Sequence, residues 1–213
     1  ASSNPNVIII YSDDQSLDML GCYGGNTLTP HIDSLARDGM KFERFYINSP
    51  VCSPSRFSLL TGRYACRAET LNNWQPPDEQ YANIGWEPMV VKESTSLPLT
   101  MQRNGYVTGC VGKWHQGTNG VKGFSDISVD PDTSWVKQQL QSNYRNAVES
   151  VTASGFDYAG AIYKSNIDTS GKNAFLPKKL QYHNQDWITE HALNFIDNNA
   201  NTPFFLYMPT TLS

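Results

Sequence analysis

Asn6-Val7-Ile8-Ile9-Ile10-Tyr11-Ser12-Asp13-Asp14 is the stretch on which the fold turns. A short unbroken apolar run, rich in β-branched side chains, fits a strand buried on both faces of a parallel sheet. It ends in two adjacent carboxylates, Asp13 and Asp14, at the strand's carboxyl end, where open α/β sheets place their ligands. Adjacent carboxylates repel unless a cation or a proton sits between them. Hard oxygen donors of this kind suit calcium or magnesium. An acidic turn after a strand is the plainer reading of the same residues.

Working outward, helix and strand patterns alternate. Thr29-Pro30 opens a helix with Ile32, Leu35 and Ala36 on one face, and Gly39 stops it. Met40 to Ile47 alternates well enough for a strand. Residues 72–88 are rich in Pro and Asn and read as a surface excursion. Leu97 to Asn104 is a short helix, Tyr106 to Val111 a strand, and Thr133 to about Val151 a long helix striped by Trp135, Leu140, Tyr144 and Val148. Tyr182 to Asn198 is a further amphipathic helix and Thr202 to Met208 a last apolar strand. The expected fold class is α/β, a largely parallel sheet flanked by helices on both faces.

Two stretches carry chemistry. Pro50-Val51-Cys52-Ser53-Pro54-Ser55-Arg56-Phe57-Ser58-Leu59-Leu60-Thr61-Gly62 reads as a helix start, with Ser53 as N-cap, Pro54 at the first helical position and Gly62 as the stop. Cys52 then sits at the positive end of the helix, where unpaired N–H groups favour an anion. Arg56 lies about one turn on, where its planar fork can meet the same anion. A buried structural cysteine is the bland alternative. In the second stretch, Gly112-Lys113-Trp114-His115 follows a strand. Lys113 and His115, two apart, would face one side of an extended backbone and pair a fixed cation with a proton carrier.

The order Cys-x-Pro-x-Arg followed by Leu-Leu-Thr-Gly, and the run from Gly105 to His115, resemble the two signatures of the type I sulfatases of the alkaline-phosphatase-like superfamily. The Asp13-Asp14 pair, Leu20 to Gly24, the Thr29-Pro30 helix and Gly155-Phe156-Asp157 resemble that family as well. The resemblance implies a sulfuric ester hydrolase in which Cys52 is oxidised to formylglycine by a formylglycine-generating enzyme. The hydrated aldehyde would attack sulfur, and the sulfated diol would then expel sulfate as the aldehyde re-forms. Calcium, or magnesium, would be held partly by Asp13, Asp14 and the converted Cys52. Arg56 and Lys113 would neutralise oxyanion charge, and His115 would move a proton of the diol. The family's remaining metal ligands, a further histidine and lysine and a smaller C-terminal subdomain have no counterpart here. Residues 1–213 are therefore expected to be the N-terminal part of a sulfatase catalytic domain. A phosphonate or phosphate monoester hydrolase with the same apparatus, and a non-catalytic metal- or sulfate-binding homologue, are the rivals.

Composition limits the partners. There are 16 basic and 20 acidic residues, a net charge of −4, so nothing suggests nucleic acid. An anionic substrate must be held by a local basic pocket. No apolar run is long enough for a membrane span. The four cysteines (Cys22, Cys52, Cys66 and Cys110) lack metal-type spacing, and a disulfide framework is not expected. Cys22, His31, His183 and His191 read as structural or solvated. The substrate is expected to be a sulfated small molecule or carbohydrate. Trp74, Trp86, Trp114 and Trp135 suit sugar stacking, and the family analogy places the protein in the periplasm or outside the cell.

Overall fold

The computed structural model describes residues 4–70, 84, 88–90, 95–120, 132–164 and 183–211. Strands β1 (Val7–Tyr11), β2 (Val107–Lys113), β3 (Tyr158–Tyr163) and β4 (Phe204–Pro209) form one sheet in the order β1-β4-β2-β3. Every pairing is parallel, so all four carboxyl ends lie on one edge. The helices are α1 (Pro30–Asp38), α2 (Cys52–Thr61), α3 (Leu97–Arg103), α4 (Ser134–Thr152) and α5 (Gln185–Asn198).

Strand β4 is central, and its alternation divides the core. Phe205 and Tyr207 face Phe57 and Leu60 of α2, Ala147 and Val151 of α4, and Phe156. Phe204 and Leu206 face Ile188, Ala192 and Phe195 of α5. Both faces of the sheet are thus covered by helices, because successive side chains of a strand point to opposite sides. Phe156 stacks on Phe205 and Tyr207 and meets Trp114 edge-on. Each such aromatic pair contributes about 1 kcal/mol beyond the area it buries.

Three expectations are corrected. Strand β1 is not buried on both faces: Val7, Ile9 and Tyr11 pack on the core, while Ile8 and Ile10 are 46% and 63% exposed. Among the described strands it lies at the sheet's edge, and α5 packs against β2, β3 and β4 instead. Met40 to Ile47 is irregular, with Phe45 and Tyr46 largely exposed. Alternation alone does not make a strand unless a neighbouring strand bonds the backbone, and none does so here among the described residues. In α4 Leu140, Tyr144 and Val148 pack on the core as read, beside Val136, Ala147 and Val151, but Trp135 is exposed.

Helix α1 begins after Thr29 and stops at Gly39, as read, yet none of its residues is buried. It is tied down by Asp33, which accepts from the Cys22 N–H at 2.8 Å and from the Thr29 hydroxyl at 2.9 Å.

Strand β3 went unread, and it is irregular. Val111 pairs with Gly160 but Lys113 pairs with Tyr163, so β3 carries one extra residue. Ala161 absorbs the bulge in the left-handed region, at φ +47°, opposite Gly112 at φ +115°. Gly112 is required for a second reason, since a Cβ there would lie 2.0 Å from the Pro209 carbonyl oxygen.

Candidate active site

The site begins with α2. Its first residue is Cys52 and its N-cap is Val51, so Ser53 does not cap it and Pro54 is third in the helix. Proline is tolerated there because the first four N–H groups of a helix have no partner within it. Gly62 ends the helix in the left-handed conformation, as expected. Seven of the ten residues are buried, among them Ser53, Arg56, Phe57 and Leu60. Such all-round burial fixes the helix rigidly and leaves its N-terminus, with Cys52, at the carboxyl edge of the sheet.

Strand β2 brings the second motif to the same place. Trp114 is fully buried and anchors it, with its indole N–H donating to the Gly117 carbonyl at 2.7 Å. His115 is not extended but left-handed, at φ +50°, so it does not share a face with Lys113 in the way strand alternation predicts. The turn instead carries its Nδ1 to 3.2 Å from Cys52 Sγ. Gln116, buried and passed over in the sequence, fastens the two motifs together: its amide donates to the carbonyls of Ser53 at 2.6 Å and His115 at 2.8 Å.

Asp13, at the end of β1, joins the cations. Arg56 donates to Asp13 Oδ1 at 3.0 Å and to the Lys113 carbonyl at 2.8 Å, and the Lys113 ammonium meets Asp13 Oδ2 at 2.5 Å. Tyr11 lies beneath the guanidinium, 5.4 Å from ring centre to Cζ, and shares a 2.6 Å hydrogen bond with Ser55. Arg56 and Lys113 are both fully desolvated, so one carboxylate between them offsets a large burial cost. Burial opposes ionisation of Asp13, but the Lys113 and Arg56 charges prevail and hold its pKa below the ordinary value. Burial likewise pushes His115 down, helped by the Lys113 and Arg56 cations, to a pKa of about 4. The imidazole is therefore neutral at neutral pH.

The structure thus gathers Cys52, Arg56, Lys113, His115 and Asp13. Asp14 follows Asp13 on the exposed side of the turn, at φ +55°. Among the described residues no three His, Cys, Asp or Glu side chains are grouped to hold a metal. Trp114 is core and not a sugar platform, Trp135 is exposed, and Trp74 and Trp86 lie outside the described residues. Asp157 of the Gly-Phe-Asp motif accepts from the Thr108 N–H at 2.8 Å and ties α3 to β2 through Gln102. His191 bonds to the Tyr158 hydroxyl at 2.6 Å, a packing role on the far face of the sheet. A cavity of about 400 Å³ lies on another flank of α2, between Tyr11, Ser55, Leu59 and residues 45–48, and none of the four motif side chains lines it. None of the described helices is long and apolar enough to cross a membrane.

The sulfatase family pattern matches residues 5–212. The chain belongs to the sulfatase family. This sulfatase chain is 33% identical over 193 residues to an N-acetylgalactosamine-6-O-sulfatase of Bacteroides thetaiotaomicron, covering 88% of the chain and 34% of that protein. It is 40% identical over 117 residues to human arylsulfatase D, covering 54% of the chain and 19% of that protein. Among solved structures, a sulfatase from a glycosaminoglycan-metabolism locus of Bacteroides thetaiotaomicron superposes with a TM-score of 0.68 at 24% identity, over 99% of this chain and 51% of that one. The likeness shows that the two share an α/β fold. The chain spans a fifth to a third of these two curated relatives and half of the structural neighbour.

Proposed function

We propose that this chain supplies the nucleophile and the anion pocket of an enzyme that hydrolyses a sulfate ester on a carbohydrate. The observation that carries the reading is the meeting of residue 52, Arg56, Lys113 and His115, drawn from two distant motifs, beside Asp13. Similarity to the N-acetylgalactosamine-6-O-sulfatase supports a sulfated sugar as substrate. Cys52 stands here as a free thiol. Conversion by a formylglycine-generating enzyme would give an aldehyde whose hydrate offers one hydroxyl to attack sulfur and a second from which sulfate can later be expelled.

The chain's own residues then have definite tasks. Arg56 cannot swing away, being held by the Lys113 carbonyl and Asp13, so its charge is preorganised beside residue 52. Lys113 adds a second fixed charge on the same side. His115, neutral and in hydrogen-bond reach of the residue 52 side chain, accepts a proton there and returns it.

Asp13 and Asp14 fit a hard divalent cation by donor type, and they would hold it, polarising the sulfate oxygens. A cysteine thiol is a poor ligand for such an ion, so residue 52 suits it only as oxygen. Two carboxylates are too few for an ion that takes about six to eight oxygens. The remaining donors are assigned to water, substrate and polypeptide outside the described residues.

The test is product release by the full-length protein coexpressed with a formylglycine-generating enzyme. Inorganic sulfate released from N-acetylgalactosamine 6-sulfate, and lost on chelation, is the expected result. Faster release of phosphate from the matching phosphate ester would overturn it in favour of a phosphomonoesterase.

A further inference from the structure

His115 is held in a conformation that its Cβ does not favour. It is left-handed, at φ +50°, and a residue with a side chain persists there only where its surroundings over-determine it. Its peptide groups are clamped from two sides. The His115 N–H donates to the Lys164 carbonyl, just past β3, at 3.0 Å. The His115 carbonyl accepts from the Gln116 side-chain amide at 2.8 Å, and the same amide nitrogen donates to the Ser53 carbonyl at 2.6 Å. Both partners are carbonyls, so the nitrogen of the amide must face them and its oxygen points elsewhere.

Three observations separate this clamp from ordinary core packing. Gln116 is fully buried. Its Oε1 is buried too and accepts no hydrogen bond among the described residues. An amide desolvated on both sides and satisfied on one is a poor device for stability. Lastly, the two carbonyls it joins belong to the residue after Cys52 and to His115, the pair whose side chains meet at 3.2 Å.

We propose that Gln116 is a positioning residue for turnover: by locking the first turn of α2 to the left-handed turn at His115, it keeps the imidazole against the residue 52 side chain. This rests on the sulfate-ester reading above, in which His115 exchanges a proton with that side chain. Without the amide the His115 carbonyl loses its tie to α2, the turn relaxes and the ring withdraws from residue 52. Gln116 acts through its neighbours, so the binding of substrate is not its task.

The experiment compares Gln116→Met and Gln116→Asn with wild type in the full-length protein. Methionine keeps length and burial but has no N–H, and the asparagine amide is one methylene too short to span both carbonyls. Sulfate release from 4-nitrophenyl sulfate and from N-acetylgalactosamine 6-sulfate is measured per folded, aldehyde-bearing molecule. For both substrates kcat is expected to fall about ten- to a hundredfold with KM nearly unchanged, the scale of loss for a misplacement of about 1 Å at a reacting centre. In thiol-form protein the NMR cross-peaks of the His115 ring, assigned by their loss in His115→Gln, are expected to move in both variants. If Gln116→Met does not fold, the Asn variant, which retains a buried amide, decides by the same criteria. Wild-type kcat in the folded variants, even with lowered stability, makes Gln116 a packing residue and overturns the inference. A lowered kcat with unmoved ring signals, or a loss that lies in KM, overturns it as well. No sulfate release from either substrate by aldehyde-bearing wild type overturns the sulfate-ester reading, and the ring signals alone then decide whether Gln116 positions His115.

Discussion

Cys52 Sγ lies 3.2 Å from His115 Nδ1, although 63 positions separate the two residues. The contact follows from parallel topology. Helix α2 starts, and β2 ends, on the carboxyl edge of the sheet, and Gln116 bonds the first turn of one to the end of the other. The two residues meet because the backbone delivers them there.

Arg56 is the part of this arrangement that stability measurements can test. Arg56→Lys keeps the charge but cannot serve both the Lys113 carbonyl and Asp13 from one ammonium. Leaving one buried partner unpaired costs about 1–3 kcal/mol. Denaturant unfolding of the full-length protein should register that loss along with a fall in activity. Wild-type stability for Arg56→Lys would mean that the buried network is not as described.

Gly112 and Gly105 make a paired prediction. Both have positive φ, +115° and +82°, but an added Cβ meets the Pro209 carbonyl oxygen at 2.0 Å in the first and open space in the second. Gly105→Ala should therefore cost only the backbone strain, about 1–2 kcal/mol. Gly112→Ala must also push β2 away from β4, and it should be clearly the more damaging of the two. Thermal unfolding of both variants decides the matter; equal costs would contradict the register at the bulge.

His115 gives a pH dependence in the metal-free, thiol form. Its pKa is about 4 in the folded protein against an ordinary 6.5, so between these values the unfolded chain binds the extra proton. Stability must then rise with pH across that window and fall as pH drops from 6.5 towards 4. Burial and the neighbouring cations cause the shift, so His115→Gln should flatten that part of the stability–pH curve. Direct NMR titration of the His115 ring with a midpoint near 6.5 would refute the buried, cation-facing placement.

What the sequence disclosed and what it hid have physical reasons. The chemistry-bearing stretches were legible because their geometry is local: a helix follows from Pro54 in its first turn and Gly62 at its stop, and a strand end from the run before Lys113. Edge position is not local. Ile8 and Ile10 look the same in a central strand as in an edge strand, and it is the order of the described strands that leaves them open. Strand β3 was missed because Ala159, Gly160 and Ala161 lack the bulky branched side chains that announce a strand, and its bulge breaks alternation. The left-handed turn at His115 was equally hidden, since the cradle that imposes it comes from Ser53, Gln116 and Lys164, residues remote from one another in the chain.

The most direct test of the central claim is steady-state sulfate release by Cys52→Ala and Cys52→Ser in the full-length protein, with mass analysis of residue 52 in wild type. Serine cannot be converted by the cysteine-specific route and lacks the diol's second oxygen, so it can be sulfated once and then remains trapped. Alanine has no nucleophile. The account predicts an aldehyde or its hydrate at position 52 of wild type and no multiple turnover in either variant. The metal and the substrate should still bind, because Asp13, Asp14, Arg56, Lys113 and His115 remain. Substantial multiple-turnover sulfate release by Cys52→Ala would contradict it and point to attack by water instead.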